Sequence, residues 1–339
     1  MSRPYVTISI NNEIEDFLKH LESKMPKFKS FPGVIGITLN GGLSRGFADH
    51  LSEIDITFYL DNESFKAWHN QKTPIPLGIV KFDNVLYDIK IINYEEEDKR
   101  KYGDIELWDL SYSKILFDPN NKIANLFKDK LSTRIDISKA VSLLWESYWT
   151  FKLAGNIWIN RADPLQGHFV LNESIKPLIK SLFIVNKEHI PHEKWLAHMS
   201  YSLDWIPDKW KERLMKAMNT ESFTVEGVKH RQLAIEDLWS EINDFINVKW
   251  YHGFNLSCHQ KLFYDLLKQL VKRKSIPVNE RYKMADLSVL NMEPFHKITE
   301  ICGHRIILNK ERLLALKSED LYSWHYEIVR GVITDLNLI

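Results

Sequence analysis

Cysteine is almost missing from this chain: Cys258 and Cys302 are the only two in 339 residues. Two isolated thiols build neither a disulfide framework nor a ligand cluster, which fits a reducing compartment and predicts a cytoplasmic protein. Net charge is missing as well, because 45 Lys and Arg face 45 Asp and Glu. A neutral chain lacks the broad positive field with which nucleic-acid binders neutralise phosphates, so nucleic acid is not the expected partner, although a local basic groove would reverse that. No apolar run reaches the ~18 residues needed to cross a bilayer, so no membrane partner is expected. The opening Met-Ser-Arg-Pro-Tyr does not read as a secretory leader. There is no internal repeat and no low-complexity tract. Thirteen histidines are present, among them His189, His192, His198 and His259. None has partners at zinc-ligand spacing, and they read as surface or core residues.

What is present is an ordinary globular composition, 44% hydrophobic and 27% charged, with a heavy load of 11 Trp, 13 Tyr and 17 Phe. Trp145, Trp149 and Trp158 fall at helical spacings, which suits a core, or a stack on a base for one of them. At roughly 100–200 residues per domain the length suggests two domains. The pattern changes near residue 132. We expect an α+β fold, with a mixed sheet and flanking helices over 1–132 and an all-helical substrate-binding domain over 133–339.

In the first part, residues 11–24 carry apolar side chains at Ile14, Phe17, Leu18 and Leu21, a helical stripe capped by Asn11 or Asn12. Val34–Leu39 reads as a buried strand and Glu53–Leu60 as an alternating one. Residues 64–76 are an unassigned connector. Residues 78–93 read as a hairpin turning at Asp83-Asn84. The charged run Glu95–Lys101 suits a solvated helix end, Ile115–Phe117 a short strand, and Ile123–Leu131 a helix. Further helices are expected at 137–159, from Asp163-Pro164 through Asn186, at 208–218, 225–247 and 257–272, and near 318–335. A break is expected at Lys272–Pro277.

The chemistry concentrates between the first two strands, in Gly41-Gly42-Leu43-Ser44-Arg45-Gly46, with Glu53-Ile54-Asp55 about ten residues on. Paired glycines let the backbone approach a phosphate closely and present N–H groups to an anion. Glu53 and Asp55 sit two apart on one strand and point the same way. Asp88 is a third carboxylate, embedded in an apolar strand that could pair beside the first. Three such oxygen donors converging on one place suit two Mg²⁺ ions, which activate an attacking hydroxyl and stabilise leaving pyrophosphate.

The stretch from Gly41 to Ile56 resembles the signature of the DNA polymerase β-type nucleotidyltransferase superfamily. Ser44-Arg45-Gly46, and the Ser52 just before the first acid, also match its small bacterial members, such as the aminoglycoside and lincosamide nucleotidyltransferases. The likeness covers about residues 34–92. Phe117-Asp118-Pro119 and, more loosely, Leu182–Asn186 with Lys194-Trp195 are similar to later segments of those relatives.

The resemblance implies a phosphate cradle at Gly41, Gly42, Ser44 and Arg45, with Ser52 beside it. It implies metal ligands and catalytic acids at Glu53, Asp55 and Asp88, with Asp88 either a ligand or the base that deprotonates the acceptor hydroxyl. From the helical part, Lys176, Lys180 and Lys194 are candidates for the triphosphate, and Glu146 and Glu173 for a general base. The expected reaction is transfer of AMP from ATP, or of another nucleoside monophosphate from its NTP, to a hydroxyl of a small molecule. The superfamily's first acid is usually Asp, whereas here it is Glu53, one methylene longer. That departure opens a second reading, a nucleotide-binding or regulatory homologue with impaired catalysis. A third is a transferase acting on a protein or an RNA.

Overall fold

The computed structural model describes residues 3–70, 72–278 and 287–338. The chain divides into two compact units, residues 1–232 and 233–339.

The first unit opens with helix α1 (Ile14–Lys29). It starts later and ends later than expected, because Met25 and Phe28 extend the buried stripe of Leu21 past Pro26. Strand β1 (Val34–Leu39), the short helix α2 (Gly41–Ser44) and strand β2 (Ile54–Leu60) follow. The unassigned connector contains helix α3 (Asn62–His69), begun by the Asp61 carboxylate, which accepts from the Ser64 N–H at 2.7 Å. Its Trp68 is buried against Phe31 and Phe58.

Strands β3 (Gly78–Phe82) and β4 (Val85–Asn93) form the expected hairpin. Asp83 and Asn84 at its tip have φ of 46° and 71°, the paired positive values of a turn that matches strand twist. Helix α4 (Tyr94–Lys99) covers the charged run, and α5 (Asp104–Tyr112) is a helix that was not expected. Strand β5 (Lys114–Phe117) and helix α6 (Lys122–Lys130) complete this part.

The five strands lie in the order β3-β4-β2-β1-β5. β2 runs parallel to β4 and antiparallel to β1, so the sheet is mixed. Alternation sends Ile54, Ile56, Phe58 and Leu60 to one face, where they pack with Leu21, Phe28 and Trp68. Burying each such side chain contributes about 1.5–3 kcal/mol. On the other face Tyr59 packs with Leu110, Ile123 and Phe127 from α5 and α6.

The change from strand to helix falls within this first unit. Helix α7 (Ile137–Tyr148) continues through a π-helical stretch, Trp149–Ala154, into α8 (Gly155–Asn160). Then come α9 (Pro164–Val185), α10 (Glu193–Ser200) and α11 (Trp210–Met218). The division between the units lies inside helix α12 (Val225–Trp250).

The second unit is helical with one small addition. Helix α13 (Lys261–Arg273) ends at the expected break, where β6 (Ser275–Pro277) begins. After α14 (Phe295–Ile298), strands β7 (Thr299–Cys302) and β8 (Arg305–Leu308) join it in a three-stranded sheet ordered β6-β8-β7. Helices α15 (Lys310–Ala315) and α16 (Ser323–Asp335) close the chain around a core that includes Leu267, Phe295 and Ile328. The last 60 residues read from sequence as short elements with a final helix, and part of that stretch lies outside the described residues. Among the described residues no helix is long and apolar enough to cross a membrane.

Candidate active site

The glycine stretch is a single helical turn rather than an open loop. It is anchored from two sides. Asn12, just before α1, donates to the Gly46 carbonyl at 3.0 Å and accepts from the Ala48 N–H at 3.2 Å. The Asn40 N–H donates to the Asp55 carbonyl at 2.9 Å, and its side-chain amide donates to Thr57 Oγ1 at 2.7 Å. Gly41 has φ of +64°, and a Cβ there would fall 1.7 Å from Asp55 Oδ2. Only glycine lets the turn press against that carboxylate.

A cavity of about 570 Å³ opens beside this contact, and all its lining residues belong to the first unit. Gly41, Gly42, Arg45, Ser52, Glu53 and Asp55 line it, as does Lys194 at the start of α10. Seven of the residues singled out from the sequence therefore meet at one place. Others do not line it. Ser44 is buried and donates to the Gly41 carbonyl at 2.8 Å. Lys176 and Lys180 face Glu193, at 3.4 and 3.5 Å. Glu146 and Glu173 lie on exposed positions of α7 and α9. Trp145, Trp149 and Trp158 are absent from the wall, and the indoles that reach it are Trp108 and Trp195.

Asp88 stands directly opposite Asp55 in the parallel β2–β4 pairing. It too is absent from the cavity wall, and it faces Lys90, which does line it: Lys90 Nζ lies 2.8 Å from Asp88 and 4.0 Å from Asp55. Among the described residues no three His, Cys, Asp or Glu side chains are gathered closely enough to hold one metal ion. Glu53, Asp55 and Asp88 thus do not form the shared ligand set expected of them. Two of the three acids, Asp88 and Asp55, instead face the Lys90 ammonium.

Burial dominates the electrostatics of Asp55 and pushes its pKa up to about 6. Lys90 opposes the rise, Glu53 and Asp88 add to it, and Arg45 opposes it again. Lys90 itself is pulled down by burial, but Asp88 and Asp55 outweigh that and raise it.

Arg45 is buried, with Nη1 3.0 Å from Asp109. Its guanidinium lies over the Trp108 ring at 4.6 Å and the Trp195 ring at 5.3 Å. Burial lowers its pKa and Asp109 pulls back. Arg45→Lys keeps the charge but loses the flat stack and the fork to Asp109. We expect it to cost about 1–2 kcal/mol and to lower the thermal midpoint by roughly 2–6 °C, read by calorimetry on the full chain.

On the far wall Glu97, 7% exposed, is held by Arg100 at 2.9 and 2.7 Å and by the Tyr102 hydroxyl. Arg100 also reaches Glu106.

Sequence reasoning missed Lys90, Asn40, Thr57, Trp108 and Asp109. Strand alternation placed Lys90 on the same face as Asp88, which was the available signal. Asn40 and Thr57 also had one, since Thr57 shares the Asp55 face. Trp108 and Asp109 ride on α5, whose apolar and acidic residues interleave without a clean stripe.

The fold is α+β, a five-stranded mixed sheet with flanking helices and a helical region after it, and the site is a glycine turn packed on a strand carboxylate. No protein-family model matches the chain, and no curated protein does. Among solved structures it is similar to a nucleotidyltransferase-like protein from Exiguobacterium sibiricum, at 9% identity and a TM-score of 0.37, over 80% of this chain and 96% of that one.

Proposed function

We propose that the cavity binds a nucleoside triphosphate, ATP in the expected case, and transfers its nucleoside monophosphate to a hydroxyl of a small molecule. The observation that carries this reading is the contact of Asp55 with Gly41 at the cavity wall. It sets a half-buried carboxylate beside backbone that a phosphate can approach, with Arg45, Lys90 and Lys194 nearby. Those cations offset the phosphate charge. Asp55, ionised at neutral pH yet basic enough to take a proton, accepts it from the attacking hydroxyl. The hydroxyl oxygen bonds to the α-phosphorus, the bond to the bridging oxygen breaks, and pyrophosphate leaves. Magnesium is the ion expected with such a substrate. Among the described residues the acids do not present three carboxylates to a shared ion.

A second reading, nucleotide binding without turnover, is favoured by the Lys90–Asp88 pair, which occupies an acid the reaction would otherwise use. Pyrophosphate release measured from each NTP, with Mg²⁺ and a panel of hydroxylated acceptors, separates the two. We expect release with ATP that depends on an acceptor. Binding of a fluorescent ATP analogue without release establishes the second reading, and no nucleotide binding overturns both.

A further inference from the structure

Lys90 follows Asp88 by two residues on β4, so both side chains leave the same face of the sheet. The register sets Asp88 beside Asp55 and Lys90 beside Thr57. The two carboxylates are 21% and 17% exposed, whereas the lysine side chain is 61% exposed. A long stem thus reaches from solvent onto a half-enclosed acid pair. Glu53 and Arg45 bear electrostatically on Asp55, and Asp109 bears on Lys90. An ammonium placed between two carboxylates takes the position for which a divalent cation competes, and two cations a few ångströms apart repel.

We propose that Lys90 is the resident cation of the Asp55–Asp88 pair and excludes divalent ions from it, so that such an ion binds there only when the Lys90 side chain swings out. This rests on reading the cavity as a nucleotide site, since a metal–nucleotide complex is what would displace the lysine. The freed ammonium then lies within reach of the incoming phosphates. Lys90 is a gate on the acids rather than one of the reacting groups.

The test is Mn²⁺ binding to the full chain without nucleotide, read as loss of the free-ion electron paramagnetic resonance signal. Lys90→Gln keeps a polar side chain of somewhat shorter reach and removes the charge, and it is expected to tighten Mn²⁺ binding about tenfold or more. Lys90→Arg keeps the charge and is expected to bind as the parent does. Adding Asp88→Asn to Lys90→Gln is expected to erase the gain. Lys90→Gln binding no tighter than the parent overturns the proposal, and so does a gain that survives loss of Asp88. Unchanged melting curves establish that the variants fold. Failure of the nucleotide reading shows separately, as no binding of the ATP analogue by the parent protein whatever Mn²⁺ does.

Discussion

Asp55→Asn is expected to cut acceptor-dependent pyrophosphate release at least about a thousandfold, while raising the thermal midpoint at pH 7. The two effects share one cause. The side chain is 17% exposed, and burial holds its pKa near about 6, above the ordinary 3.8. A carboxyl raised in the folded state contributes stability that is full below its unfolded pKa and lost as pH rises through its folded one. The window therefore runs from about pH 4 to about pH 6, and the ionised group costs on the order of 2–3 kcal/mol above it. Asparagine has the same shape without that cost, so the midpoint should rise by roughly 5 °C at pH 7 and by little at pH 4. Parallel melts at the two pH values and a pyrophosphate assay check both halves. Unchanged release with a lower midpoint would remove Asp55 from the chemistry.

Gly41→Ala is expected to disrupt the site from the opposite side of the same contact. At φ of +64° an alanine is strained by about 1–2 kcal/mol before any contact is counted. Its Cβ would then fall 1.7 Å from Asp55 Oδ2, so the carboxylate must move. Affinity for the fluorescent ATP analogue should drop at least about tenfold, because a displacement of about 1 Å at a preorganised group is costly. Gly46→Ala is the comparison, since φ there is +92° and no atom lies within 4 Å of the added carbon. It should show the backbone strain alone. In an Asp55→Ala background the stability cost of Gly41→Ala should shrink toward that of Gly46→Ala, the mark of two coupled positions. Equal costs in both backgrounds would mean that the turn and the carboxylate are independent.

Much of this site is visible in the primary sequence because strand periodicity is short-range. Ile54, Asp55, Ile56, Thr57 and Phe58 alternate strictly, and so do Tyr87, Asp88, Ile89 and Lys90, so the face each side chain takes follows from position alone. The alignment of Asp55 with Asp88 is a matter of register between strands that are not consecutive, and no local pattern sets it. The same holds for Arg45. Its spacing from the glycines is plain, but the two indoles that clamp it come from Trp108 and Trp195, far along the chain. Helix α5 went unseen because its Leu107, Trp108 and Leu110 are buried while Asp104 and Glu106 turn elsewhere, so it lacks the stripe by which α1 is recognised. Lys90 was visible as a position and not as a contact, since reach along a flexible stem is not encoded in alternation.

The strand order has a consequence for how the chain is made. β1 is flanked by β2 on one side and by β5 on the other, and Ile37 pairs with Phe117. Its second edge therefore stays bare while about 80 further residues are synthesised, some 4–16 s at about 5–20 residues per second. Val-Ile-Gly-Ile-Thr-Leu is an apolar, β-prone stretch with no charge and no proline, the kind of open edge on which nascent chains pair with one another. Recovery of folded protein thus depends on how that edge is shielded until Lys114–Phe117 emerges, and translation speed becomes a determinant of yield.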